Sequence, residues 1–359
     1  MNGRDVLLRK TNIELLRILS MFMIVFAHVT WEGKFVFSKS DVIHNTMIQF
    51  PWLFGQIGVI CFTLISSYFL SKAERVKWKS LMKIGKVTWF WSLLILVTVK
   101  CFGDKLLTLN IKLYIDSIFP IIMGTYWYVT AYIALYIIFP YLNIIIEKLN
   151  RKEYNIFIIV LLIIFSIIPT FTGATALNST NAASSIFSLI IIYFIGGYIR
   201  KYSDVLNISL YKIVIFFITS LVISIIILIL LNVANKYNFI DITGTNRLYG
   251  RFMRTNSIFQ ILSGTSLFVI FKKIDIKYNK YINDMANKMF GIYVIHTNPI
   301  IIIILWSQIV RINRFESSSY VLMYEFVGAV IVFLGCMLLE YIRDSLFRGI
   351  SRIWSIKFK

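Results

Sequence analysis

Cysteine and charge are both scarce in this chain. The three cysteines, Cys61, Cys101 and Cys336, each lie in or at the edge of an apolar run. That pattern excludes a disulfide framework or a zinc-binding spacing and leaves packing as their role. Charged residues make up 15% of the sequence, against about a quarter in soluble domains. Prolines number only five. The chain carries no repeat of fixed period, no coiled-coil heptads and no linker to a soluble domain. Apolar sequence follows Arg4, Arg9 and Lys10, but no small-residue cleavage site comes after it. The stretch therefore reads as a retained first transmembrane helix, not a signal peptide.

What the chain has in quantity is apolar surface. Of its 359 residues, 58% are hydrophobic, and the mean hydropathy is +0.77. A bilayer core needs about 20 mostly apolar residues per helix. Ten such runs occur, at 12–31, 49–70, 84–101, 124–146, 155–171, 184–200, 209–232, 255–271, 287–307 and 319–342. The expected fold is all-α, a polytopic membrane protein of about ten transmembrane helices. Segment 106–123 predicts an interfacial or short re-entrant helix. Segment 233–254, with Gly, Asn and Thr, is the longest outer stretch and is expected to fold over the outer mouth.

The net charge of +20 would suggest nucleic acid in a soluble protein. Here its placement matters more. With the N-terminus cytoplasmic, the inner segments hold 25 lysines and arginines and the outer segments 11. That bias predicts both termini in the cytoplasm. The excess charge is then anchoring and attraction to the inner leaflet, with no nucleic-acid partner. The chain is expected to form a single membrane domain over 1–359, with no appended soluble domain.

The first run, ELLRILSMFMIVFAHV, contains Glu14, Arg17 and His28. An α-helix turns 100° per residue, so eleven steps from Arg17 bring His28 to within about 20° of the same face, roughly 16 Å along the axis. Glu14, three residues before Arg17, shares that face. Ser20, Met21, Ile24 and Val25 fill the stripe between them. Ionisable groups inside a membrane usually face a bundle interior or watery cavity. The alternative is an interfacial Glu14–Arg17 pair and a His28 that caps the helix end near Trp31.

Arginine, ten residues, then histidine in the first membrane helix resembles the hallmark of acyltransferase family 3, integral-membrane acyltransferases of bacterial surface polysaccharides. Glu14 matches the acidic residue that stands before the arginine there. In FGQIGVICFTLISSYFL, the residues Gly55, Gly58, Val59, Phe62, Ser66 and Tyr68 match the family's second-helix pattern, with Thr63 and Ser67 departing from it. Lys83 and Lys86 stand where the family has two basic residues three apart, usually arginines. The block around Trp127, Tyr128, Tyr136 and Pro140, and the late pair Tyr293 and His296, are also similar. The shared order of these blocks spans nearly the whole chain.

The resemblance implies an O-acyltransferase that moves an acyl group, usually acetyl, from acyl-CoA to a sugar hydroxyl at the bacterial plasma membrane. The acceptor would be a cell-surface polysaccharide or its lipid-linked precursor. No metal and no resident cofactor is implied; acetyl-CoA is a substrate. His28 would act as general base or as transient acyl carrier. Arg17 would hold coenzyme A phosphate or the thioester carbonyl, oriented by Glu14. Lys83, Lys86 and Arg75 form a basic patch that either meets donor phosphates or only anchors the protein. Tyr293 and His296 fall on the donor side, where His296 either lines a tunnel or packs. Trp127 falls with the acceptor groups.

Glu325 lies inside the tenth run at a depth similar to His28, and is expected to orient His28, pair with an outer arginine, or form a structural salt bridge. Arg247, Arg251 and Arg254 step by four and three along one helical face. They suit an anionic acceptor or lipid headgroups. A transporter or flippase of a glycan or lipid-linked precursor is the competing reading. It predicts paired halves and internal repeats.

Overall fold

The computed structural model describes residues 10–37, 41–103, 107–172, 185–239 and 251–357. Among these the chain is helical throughout, with no strand. The membrane-length helices are α1 (Thr11–Glu32), α3 (Trp52–Leu70), α4 (Trp78–Phe102), α6 (Trp127–Lys148), α7 (Arg151–Thr172), α9 (Leu210–Lys236) and α14 (Val321–Lys357). Short α2 (Val42–Gln49) leads directly into α3. Among the described residues seven helices are long and apolar enough to cross a membrane.

Every apolar run of the sequence falls in a helix, but not every helix is long enough to span alone. The sixth and eighth runs form α8 (Ile186–Lys201) and α10 (Ile258–Lys273), of 16 residues each. The ninth run is broken. α11 (Lys280–Ala286) and α12 (Met289–His296) bend by 69° against α13 (Pro299–Ile304) and the turns after it. Counting that bent pair as one span gives eight. Segment 106–123 contains the expected short helix, α5 (Ile111–Ile118), and is followed by a turn at Gly124 with φ +67°.

The break has a local cause. Asn298 accepts hydrogen bonds on Oδ1 from the backbone N–H of Ile300 (2.9 Å) and Ile301 (3.2 Å). That caps a new helix whose first residue is Pro299. Proline lacks the N–H that would continue α12 and fits the first helical position. The Asn298 amide donates to the Tyr126 hydroxyl at 2.8 Å, which ties the break to the start of α6.

α1 is the axis of the bundle and packs against α3, α10, α11, α12 and α14. It is fastened at one end by Asn12, whose amide donates to the carbonyls of Phe271 and Ile274, each at 2.8 Å. Beside it, Thr11 Oγ1 accepts from Asn279 N–H (3.0 Å) and the Asn283 amide (3.1 Å). At the other end the Thr30 hydroxyl lies 2.9 Å from both the Ile48 carbonyl and the Glu325 carboxylate. By contrast α7 and α9 are strongly apolar yet bury little inside the bundle. Their side chains therefore face acyl chains.

Helices in lipid gain little from hydrophobic exclusion, so close backbone approach carries the packing. α1 and α3 meet at Gly58, where an added Cβ would sit 2.5 Å from the Ser20 carbonyl oxygen. Backbone cannot swing aside as a side chain can. Gly58→Ala is expected to cost about 1–3 kcal/mol through overpacking, read as a lowered Tm of the detergent-solubilised protein. An unchanged Tm would mean the two helices slide apart freely.

Candidate active site

The α1 stripe faces a cavity. It is small, with a volume of about 10 Å³, room for about one water, and is lined by Met21, Ile24, Val59, Phe62, Tyr128, Phe290 and Tyr293. Met21 lies one helical turn beyond Arg17, and Ile24 one turn before His28. The two α1 groups thus flank the cavity.

At one flank, Arg17 Nε lies 3.2 Å from Glu14 Oε2. The contact has ion-pair distance but not hydrogen-bond geometry, since Arg17 Nε has no hydrogen-bond partner among the described residues. Glu14 thus supplies opposite charge without occupying the fork of the guanidinium. The guanidinium carbon lies 5.6 Å from the Phe62 ring centre on α3, within cation–π range.

At the other flank, His28 meets His296. Their ring centres are 5.1 Å apart at 76°. His28 Nδ1 lies 2.7 Å from the Ile24 carbonyl, and His296 Nδ1 lies 2.7 Å from the Ile292 carbonyl. A carbonyl only accepts, so each Nδ1 carries a proton and each Nε2 presents a lone pair when the ring is neutral. His296 is fully buried and its Nε2 has no hydrogen-bond partner among the described residues. Tyr293 packs edge-on to His296 at 6.1 Å and to Tyr128 at 5.9 Å. Tyr128 in turn contacts Phe62 at 6.3 Å, and its hydroxyl lies 3.3 Å from Thr63 Oγ1. A wall of aromatic rings therefore runs from Arg17 to the histidine pair.

Several sequence expectations land elsewhere. His296 was expected nearer the cytoplasm than His28, and instead lies beside it. Glu325 is fully buried, but among the described residues it meets Thr30, not His28 and not an arginine. Trp127 is half-buried at the start of α6 and packs edge-on to Tyr128 at 5.7 Å, adjoining the cavity lining. Arg75, Lys83 and Lys86 are exposed, and no ion pair engages them among the described residues.

Arg247 lies outside the described residues. Arg251 is in helix that stops at Met253, and Arg254 stands in the bend after it, so the helical face does not continue to Arg254. Both are half-buried. Burial, and the like charge of Arg251, hold the Arg254 guanidinium below its ordinary value.

One buried cluster was not anticipated. Glu340 on α14 accepts from Trp91 Nε1 (2.8 Å) and from Arg343 Nε (2.9 Å) and a terminal guanidinium nitrogen (2.6 Å). Gly291 of α12 packs against this carboxylate so closely that a Cβ would collide with it. Buried Lys288, just before α12, binds Asp344. The cluster sets the seat of the helix that carries Tyr293 and His296. Its sequence signal is a carboxylate near the end of the tenth run with arginine three residues on.

Glu340→Ala is expected to destabilise by about 3–5 kcal/mol, because it strands the Arg343 charge. The double change Glu340→Ala with Arg343→Ala is expected to recover part of that loss in Tm. No recovery would mean the pairing contributes nothing.

Residues 10–341 match the family model described as an acyltransferase domain, that of acyltransferase family 3. No curated protein and no solved structure matches the chain. The match covers nearly all the residues that build the bundle, including α1 and its stripe, the aromatic wall and the histidine pair. The chain belongs to acyltransferase family 3 and is a multi-pass membrane acyltransferase.

Proposed function

We propose that the protein transfers an acetyl or other short acyl group from acyl-CoA to a hydroxyl of a cell-surface polysaccharide or its lipid-linked precursor, at the bacterial plasma membrane. The observation that carries this reading is the arrangement along α1: a guanidinium and an imidazole on one helical face, joined by a wall of aromatic rings, with a second imidazole beside the first. The family membership supports the reaction class.

A sugar hydroxyl is a poor nucleophile until a base takes its proton, and imidazole is suited to that task near neutral pH. In the proposed step, His28 Nε2 accepts the hydroxyl proton as the oxygen attacks the thioester carbonyl. The C–S bond then breaks and the departing thiolate takes the proton from the histidine pair. Arg17 binds an anionic part of the donor or steadies the carbonyl oxygen. Lys83, Lys86 and Arg75 attract the donor's phosphates as exposed point charges. Arg251, Arg254 and Trp127 serve the acceptor.

The test is transfer itself. Membrane vesicles containing the protein, given labelled acetyl-CoA and surface polysaccharide, are expected to yield label that mild base releases from the polysaccharide. Label remaining entirely in acetyl-CoA, or loss of glycan export with esterification intact in a deletion strain, would overturn the proposal and favour a transporter.

A further inference from the structure

We propose that the trough between α7, α8, α9 and α10 is a binding site for one anionic phospholipid, with an acyl chain in the trough and the phosphate at Lys212. The trough lies away from the Arg17–His28 cavity and shares no lining residue with it. Its volume is about 680 Å³. Ile158 and Leu162 of α7, Ile199 of α8, Ile213 and Phe216 of α9, and Val269 of α10 form much of its wall. Two of its four helices, α7 and α9, face lipid. An apolar trough open to the hydrocarbon is filled by a hydrocarbon chain, because water there would lose hydrogen bonds without replacement.

The charge at its polar end specifies which lipid. The four helices bring their basic ends together there. α7 begins with Arg151 and Lys152, α8 ends with Arg200 and Lys201, α9 has Lys212 in its first turn, and α10 ends with Lys272 and Lys273.

Two acids nearby are already engaged. Glu153 closes the cap on Asn150 N–H at 2.9 Å, and Asp204 binds Arg151 at 2.7 Å. Several cations are likewise spoken for. Arg200 donates to the Tyr68 hydroxyl, Lys201 to the carbonyls of Ile146 and Leu149, and Lys273 to the Leu206 carbonyl.

Lys212 differs. It lines the trough, is exposed, and has no hydrogen bond or ion pair among the described residues. Asn155, also in the lining, can donate to the same phosphate. A zwitterionic headgroup would bring its own cation into this basic mouth, whereas an anionic one brings only the complement.

The test is native mass spectrometry of the full-length protein, incubated in detergent with equal amounts of phosphatidylglycerol and phosphatidylcholine of matched chains. One phosphatidylglycerol is expected to be retained over phosphatidylcholine. Lys212→Glu is expected to cut that preference by about five-fold or more, the worth of one basic side chain near an anionic headgroup. Thr265→Phe, which fills the trough without touching the charge, is expected to lower retention of both lipids while the protein still elutes as a single species. Equal retention of the two lipids by the unaltered chain, or a preference untouched by Lys212→Glu, overturns the proposal. Stronger retention of an added polyprenyl phosphate than of phosphatidylglycerol overturns it in favour of a carrier-lipid site.

Discussion

Replacing His28 with alanine is expected to lower acyl transfer by about 10²- to 10⁴-fold, the usual contribution of a positioned general base. The ring is held by its Nδ1 on the Ile24 carbonyl, so Nε2 is the nitrogen left to meet substrate. His28 lies at the end of α1 but is not part of its dense core, so its removal should leave folding intact. The Tm and elution profile of the variant test that point. His296→Ala is expected to fall less far, since a water can receive a proton from His28 where the second ring stood.

An acid-quenched reaction should leave no label on the protein. Label on the unaltered chain that disappears in His28→Ala would mean a covalent carrier instead of a base. A full rate in His28→Ala would remove the proposed chemistry altogether.

Arg17→Gln is the second large effect, expected to reduce kcat/KM for acyl-CoA by about 10²-fold or more. Two losses have to be separated. Glu14 is largely buried beside Arg17, so removing the cation strands a carboxylate in apolar surroundings and lowers stability by about 3–5 kcal/mol. The double change Glu14→Gln with Arg17→Gln removes both charges and is expected to restore Tm while activity stays low. Arg17→Lys keeps the charge but not the planar fork, and is expected to recover only part of the rate. If the double variant regained activity along with stability, Arg17 would be a structural ion and not a donor-binding one.

The stripe in α1 was legible because it needs only the helical period. Its residues are close in sequence, and the 100° step fixes which of them share a face. The partner of His28 was not legible. His296 comes from far along the chain, and its depth was counted along a straight helix over 287–307. The bend at Asn298 ends that helix just after His296 and resets the count. Glu325 shows the opposite case. Its depth was read correctly, since it meets Thr30 two residues from His28. Two residues are about 200° of helix rotation, which takes the contact to the other side of α1. Depth follows from counting residues, but the direction in which a helix faces depends on neighbours the sequence does not name. The Glu340 cluster joins three helices and could be found only by bringing them together.

The anchoring of α1 has a mechanical consequence. Asn12 and Thr11 moor its foot, and Thr30 moors its head. A post tied at both ends resists rocking against the helices that hold it. For the proposed reaction the two substrates must then converge on a stationary imidazole from opposite leaflets. A carrier that swings one chamber between inside and outside would instead have to break those moorings on every cycle or carry the neighbouring segments along with α1.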